Sequence, residues 1–167
     1  MQQRNPVEWA ILPFKRYFDF SGRSPRAEYW WYVLSVGILG FIMGIADIAL
    51  LGGTVYGNYG ALGLTFMAVC TVPGLAVLVR RLHDIGRTGW WALLKIPSLG
   101  FILAGGSPTV MFAAMQGLPT LLNVVLAVAY LGGALVLLLF VITEGEGLAN
   151  RYGPDPYGAG QLEEVFA

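Results

Sequence analysis

Residues 119–142 read PTLLNVVLAVAYLGGALVLLLFVI, an uncharged run that ends just before Glu144. At about 1.5 Å per residue it is long enough to cross the roughly 30 Å hydrocarbon core of a bilayer. The chain therefore reads as a membrane protein. Its composition points the same way: of 167 residues, 56% are hydrophobic and 12% charged, with a mean hydropathy of +0.65. Soluble domains carry about 25% charged residues. One cysteine leaves no internal disulfide, and with one histidine it falls short of the three or four N or S ligands usual in a protein zinc site. No metal and no cofactor is expected. The polar start and the length of the first apolar run do not fit a cleaved signal, so the N-terminus is expected to be retained.

Working outward, Ala61 to Val79 is a second uncharged span, with Pro73-Gly74 placed to kink it. Before it, Ser24-Pro25 reads as a cap followed by the first helical residue, opening a helix over 25–51. Tyr29-Trp30-Trp31-Tyr32 forms its interface belt, and Asp47 lies near its far end, where it can reach water or serve as a proton or cation site. A weaker span begins at Trp90, carries Lys95 and Pro97, and reaches about 24 Å by Gly105. Lys95 can snorkel toward the headgroups over Trp91. Asn5-Pro6-Val7-Glu8 has the form of a capping box. The helix it starts, over 5–20, either lies on the membrane or packs on the protein's own face, with Pro13 kinking it.

The expected fold class is thus all-α: a single-domain polytopic membrane protein. It has an N-terminal interfacial helix over 5–20, four membrane helices over 25–51, 61–85, 90–106 and 119–142, and a polar tail over 143–167. All ten Lys and Arg residues fall on or near the side that holds both termini and residues 80–91, and the turns on the other side contain none. The positive-inside rule makes that side cytoplasmic, placing both termini in the cytoplasm of a multi-pass inner-membrane protein.

Residues 80–91, RRLHDIGRTGWW, concentrate the charge between two spans. If the preceding helix runs on to Ile85, Arg80 and Asp84 stand at i,i+4, Arg81 and Asp84 at i,i+3, and His83 faces Arg87. Gly86 terminates that helix. The macrodipole disfavours an acid at a helix C-terminus by about 0.3–1 kcal/mol, so Asp84 needs a basic partner. Arg80, Arg81, Arg23, Arg26 and Arg151 are the candidates. One use of the cluster is a polar clamp at the cytoplasmic end of the bundle. A second is an anionic headgroup site floored by Trp90, Trp91 and Trp30, since guanidinium groups suit phosphate oxygens. A third makes His83 a general base, although adjacent helical residues point about 100° apart, which is awkward for a His83–Asp84 pair. Asn150 and Arg151, before Tyr152-Gly153-Pro154-Asp155-Pro156, read as a folded plug against this stretch.

Three blocks, FSGRSPRAEYW at 20–30, RRLHDIGRTGWW at 80–91 and NRYGPDP at 150–156, resemble the bacterial inner-membrane family called domain of unknown function 805. The resemblance runs over residues 18–156, with Thr88 where a serine is expected. It implies a small multi-span inner-membrane protein and carries no activity with it. No hydrolase elbow, P-loop or metalloprotease motif occurs. The leading expectation is a non-enzymatic membrane protein whose charged clamp binds anionic lipid headgroups or a protein partner. The alternatives are a small transporter or channel component, for which only Asp47, Lys95, Asn123 and scattered hydroxyls could line a path, and a lipid-headgroup enzyme. Expected partners are membrane lipids and a second copy or another membrane protein, with no nucleic acid.

Overall fold

The computed structural model describes residues 5–53, 59–96 and 119–157. Their regular structure is helical: α1 (Pro6–Lys15), α2 (Arg26–Leu51), α3 (Ala61–Asp84), a 3-10 helix (Gly89–Lys95) and α4 (Thr120–Ile142). Helices α2, α3 and α4 are each long and apolar enough to cross a membrane. Helix α3 is the central one, with 28% of its most apolar window buried against 6% for α2 and 11% for α4. Leu78 and Leu82 of α3 form a small core with Val141 of α4, and Tyr29, Ala92 and Phe140 pack around it. The remaining apolar surface of α2 and α4 faces outward, as expected of helices whose solvent is lipid.

Several expected boundaries move. Asn5 and Glu8 form a reciprocal capping box, but α1 stops at Lys15 rather than residue 20. Proline carries no amide hydrogen, so Pro13 already removes a donor in the last turn. Helix α1 lies against α2 and α3, burying Ala10 and Pro13 and setting Phe14 5.5 Å from Tyr32. Ser24 is not the cap of α2: Pro25 holds that position without a side-chain bond. The expected span at 90–106 begins as a 3-10 helix, not an α-helix. It approaches α3 closely at Gly89, where a Cβ would stand 2.8 Å from Val79 Cγ1. The remainder of that span, the turn after it, residues 54–58 of the preceding turn and the tail beyond Tyr157 lie outside the described residues.

Two side chains repair helix ends and breaks. Pro73 leaves the Val69 carbonyl without its usual i+4 donor, and the Tyr17 hydroxyl donates to that oxygen at 2.7 Å. Asp47, expected at the interface and reaching water, is only 2% exposed. Its two carboxylate oxygens accept from the Leu62 and Gly63 amides at 2.9 and 2.8 Å, capping the start of α3 from the end of α2. The positive end of the α3 dipole favours this charge. Gly60 is the residue that lets the chain pass, because a Cβ there would overlap the carboxylate.

Candidate functional site

The charged side chains meet where the start of α2, the end of α3 and the tail converge. Helix α3 ends at Asp84, and Gly86, at φ 70°, turns the chain away in the left-handed region. This leaves Arg80, Arg81 and Asp84 on the buried side of the last turns. Asp84 accepts from Arg23 at 3.0 Å and from Arg81, and the Arg23 and Asp84 side chains are only 1% and 4% exposed. Arg80 does not pair with Asp84, as the i,i+4 spacing suggested. It meets Glu28 of α2 at 2.8 Å, with both side chains at or below 1% exposure. The i+3 partner is nearer along the helix face, and Glu28, in the first turn of α2, neutralises Arg80.

Further guanidinium hydrogens of the three arginines go to backbone carbonyls. Arg23 donates to Leu148 at 2.7 Å and also to Glu146. Arg81 donates to Val141 at 3.3 Å and to Thr143, covering carbonyls that α4 leaves open at its C-terminus. Arg80 donates to the Asp19 carbonyl in the α1–α2 link. The Nε of Arg80 and the hydroxyl of Ser24 are buried side-chain atoms without a hydrogen-bond partner among the described residues. In the same link, Asp19 is held at about 2 by the Ser21 hydroxyl and by Arg16, against the opposing effect of partial burial.

The tail is docked on this cluster. The Glu146 amide donates to the Asp84 carbonyl at 2.9 Å, and the Asn150 side chain to the His83 carbonyl at 3.0 Å. Arg151 reaches the Gly86 carbonyl at 3.1 Å. Gly145 is required at its position, because a Cβ there would run into the Asp84 carboxylate. His83 stacks on Tyr152 with 3.8 Å between ring centroids and 5° between planes, and its Nδ1 contacts the Gly22 carbonyl at 3.1 Å. It therefore faces the tail, not Arg87.

The other expected site residues sit around the rim. Arg87 is exposed and stands over the Phe140 ring at 5.5 Å, where Trp91 also packs edge-on. Trp90 projects outward, 76% exposed. Arg26 pairs with Glu144 at 2.7 Å on the surface. Lys95 lies away from the cluster, lining two cavities beside α3. Sequence reasoning missed Glu28 as a site residue, and only its place in the first turn of an arginine-flanked helix could have suggested it.

The profile of the family described as "Protein of unknown function (DUF805)" matches residues 17–154. The chain is 32% identical to the inner membrane protein YhaI of Escherichia coli K12 over 151 residues, covering 90% of this chain and 96% of that one. It is likewise 32% identical to inner membrane protein YhaH of the same strain, with 90% and 97% covered. The uncharacterized protein YiiR is 33% identical over 147 residues, 83% of this chain and 86% of YiiR. No solved structure matches.

Proposed function

The chain belongs to the DUF805 family, and from that premise we propose that it is a non-enzymatic, multi-pass inner-membrane protein whose arginine cluster is a structural lock at the cytoplasmic face. The observation that carries this reading is the fate of Arg23, Arg80 and Arg81: each is buried and spends its charge on a carboxylate of its own chain. Such guanidinium groups are poorly placed to receive a phosphate from outside. His83 is turned to Gly22 and Tyr152 and is no partner for Asp84, whose oxygens the arginines occupy. A general base with an orienting acid has no support in that arrangement.

Contact with anionic lipid falls instead to the exposed rim. Lys15, Arg87 and Trp90 lie outside the lock, and each basic residue near an anionic leaflet contributes about 1 kcal/mol. Asp47 caps α3 with one backbone amide on each carboxylate oxygen, a structural use that weighs against a transporter. Orientation is tested by placing a cysteine at exposed Leu148 in a Cys70→Ser background. An impermeant maleimide should label it in lysed spheroplasts and spare it in intact ones. Labelling of intact spheroplasts would reverse the orientation and remove the lock from the cytoplasmic face.

A further inference from the structure

The surface of α1 divides into distinct strips. At about 100° of helical turn per residue, its buried pair, Ala10 and Pro13, stands about 180° from Glu8 and Lys15, which are exposed. Between those faces Val7 and Ile11 share one flank, 63% and 44% exposed. The opposite flank, Trp9 and Leu12, is half-buried. Both charged residues of α1 thus avoid the Val7–Ile11 flank.

That flank has a direction and a depth. Phe14 follows Val7 and Ile11 along it, and its ring lies 5.5 Å from Tyr32. Tyr32 closes the aromatic cluster at residues 29–32, of the kind that marks the boundary between water and lipid. It lies six residues into α2, about 9 Å along the helix from Arg26. Tyr17 reaches deeper, because the Val69 carbonyl that it binds at 2.7 Å lies fifteen residues, about 22 Å, before the end of α3. The end of α1 therefore sits beside the apolar part of the spans, inside their charged ends. Phe18, 76% exposed, packs edge-on to Tyr17 at 4.7 Å and shares that depth. On α2, Leu34 and Ile38 continue the exposed apolar surface inward from the aromatic cluster.

A helix with one face on the protein, its charges on the opposite face and an apolar flank level with an aromatic belt has the pattern of an element lying in the bilayer interface. Such helices sink their apolar side about 5–10 Å below the headgroups. We propose that α1 and Phe18 are immersed in the leaflet at the lock end, with Val7, Ile11 and Phe18 among acyl chains and Glu8 and Lys15 at the water boundary. The partner is lipid, and the surface is continuous with the outward side of α2. The inference needs only that α2 and α3 cross the bilayer, and it holds whichever way the lock faces.

The test uses the full chain in vesicles of phosphatidylethanolamine and phosphatidylglycerol, with single nitroxide labels at Val7→Cys, Glu8→Cys, Ile11→Cys, Lys15→Cys and Phe18→Cys. Cys70, 5% exposed, is replaced by serine, or left in place unlabelled if that variant does not fold. Power-saturation electron paramagnetic resonance compares collisions with oxygen, which concentrates in lipid, against those with a water-soluble nickel chelate. The oxygen-to-nickel ratio at Val7, Ile11 and Phe18 should exceed that at Glu8 and Lys15 several-fold and approach that of a label at Ile38→Cys. A ratio at Val7 and Ile11 no higher than at Glu8 and Lys15 overturns the proposal and leaves α1 in water. Low collision rates with both reagents at Val7 and Ile11 overturn it as well, making the cover a second copy or another protein. Neither result moves the maleimide labelling at Leu148→Cys, so the orientation of the lock is decided separately.

Discussion

Arg80 and Glu28 meet at 2.8 Å, with side chains 0% and 1% exposed, and so join the end of α3 to the start of α2. Removing one partner of a buried pair leaves an uncompensated charge, at a cost of about 3–5 kcal/mol, whereas replacing both by apolar groups is often neutral. Glu28→Gln should therefore lower the unfolding free energy by about that amount in a mixed-micelle denaturation series. Arg80→Met with Glu28→Leu should recover most of the loss. Equal damage from the single and double variants would show that the pair does not act as a unit.

How much of this was legible depends on the range of each interaction. The spans at 25–51, 61–85 and 119–142 correspond to α2, α3 and α4 because membrane length and lack of charge are local properties of the chain. The Arg81–Asp84 contact and the Gly86 stop follow from helical spacing and backbone freedom. The Arg80–Glu28 pair does not, since helical periodicity offered Asp84 as the partner and says nothing of which helix lies alongside. Asp47 was misread for a related reason: its ligands are backbone amides of another helix, and amides leave no trace in a sequence.

Asp47 acts as a helix cap supplied across the α2–α3 connection, and it needs both oxygens, one for each amide. Asp47→Asn, whose amide nitrogen cannot accept, should lose one of the two bonds and lower stability in detergent by about 1 kcal/mol, and Asp47→Ala, which loses both, should cost more. Gly60→Ala should cost more than either, because the added carbon occupies the carboxylate's place. Asparagine as stable as aspartate would contradict a cap that uses both oxygens.

Tyr17 supplies the hydrogen that Pro73 withholds from the Val69 carbonyl. Tyr17→Phe should cost about 1 kcal/mol, the net worth of an ordinary hydrogen bond. In a Pro73→Ala background, where the helix regains its own donor, the same change should cost less. A double-mutant cycle read by thermal denaturation checks this, and additive effects would refute the link.

Asp19 titrates at about 2 in the folded chain against 3.8 ordinarily. A lowered carboxylate value stabilises the fold fully above the ordinary value, and that contribution fades as pH falls toward the folded value. Acidification from pH 4 to pH 2 should therefore loosen the α1–α2 link, seen as faster hydrogen exchange at the Ser21 amide, which donates to Asp19 at 3.0 Å. Asp19→Asn should remove that pH dependence. Exchange in the wild type that shows no extra acceleration over this interval would contradict the assignment.

The central claim is that Asp84 holds the tail to the membrane helices by engaging Arg23 and Arg81 together. The most direct test is hydrogen exchange of the Glu146, Asn150 and Gly153 amides in full-length Asp84→Asn, compared with the wild type in the same bilayer. With the charge removed, those amides should exchange markedly faster while the middle of α2 stays protected. Tail amides that remain as protected as in the wild type would contradict the lock.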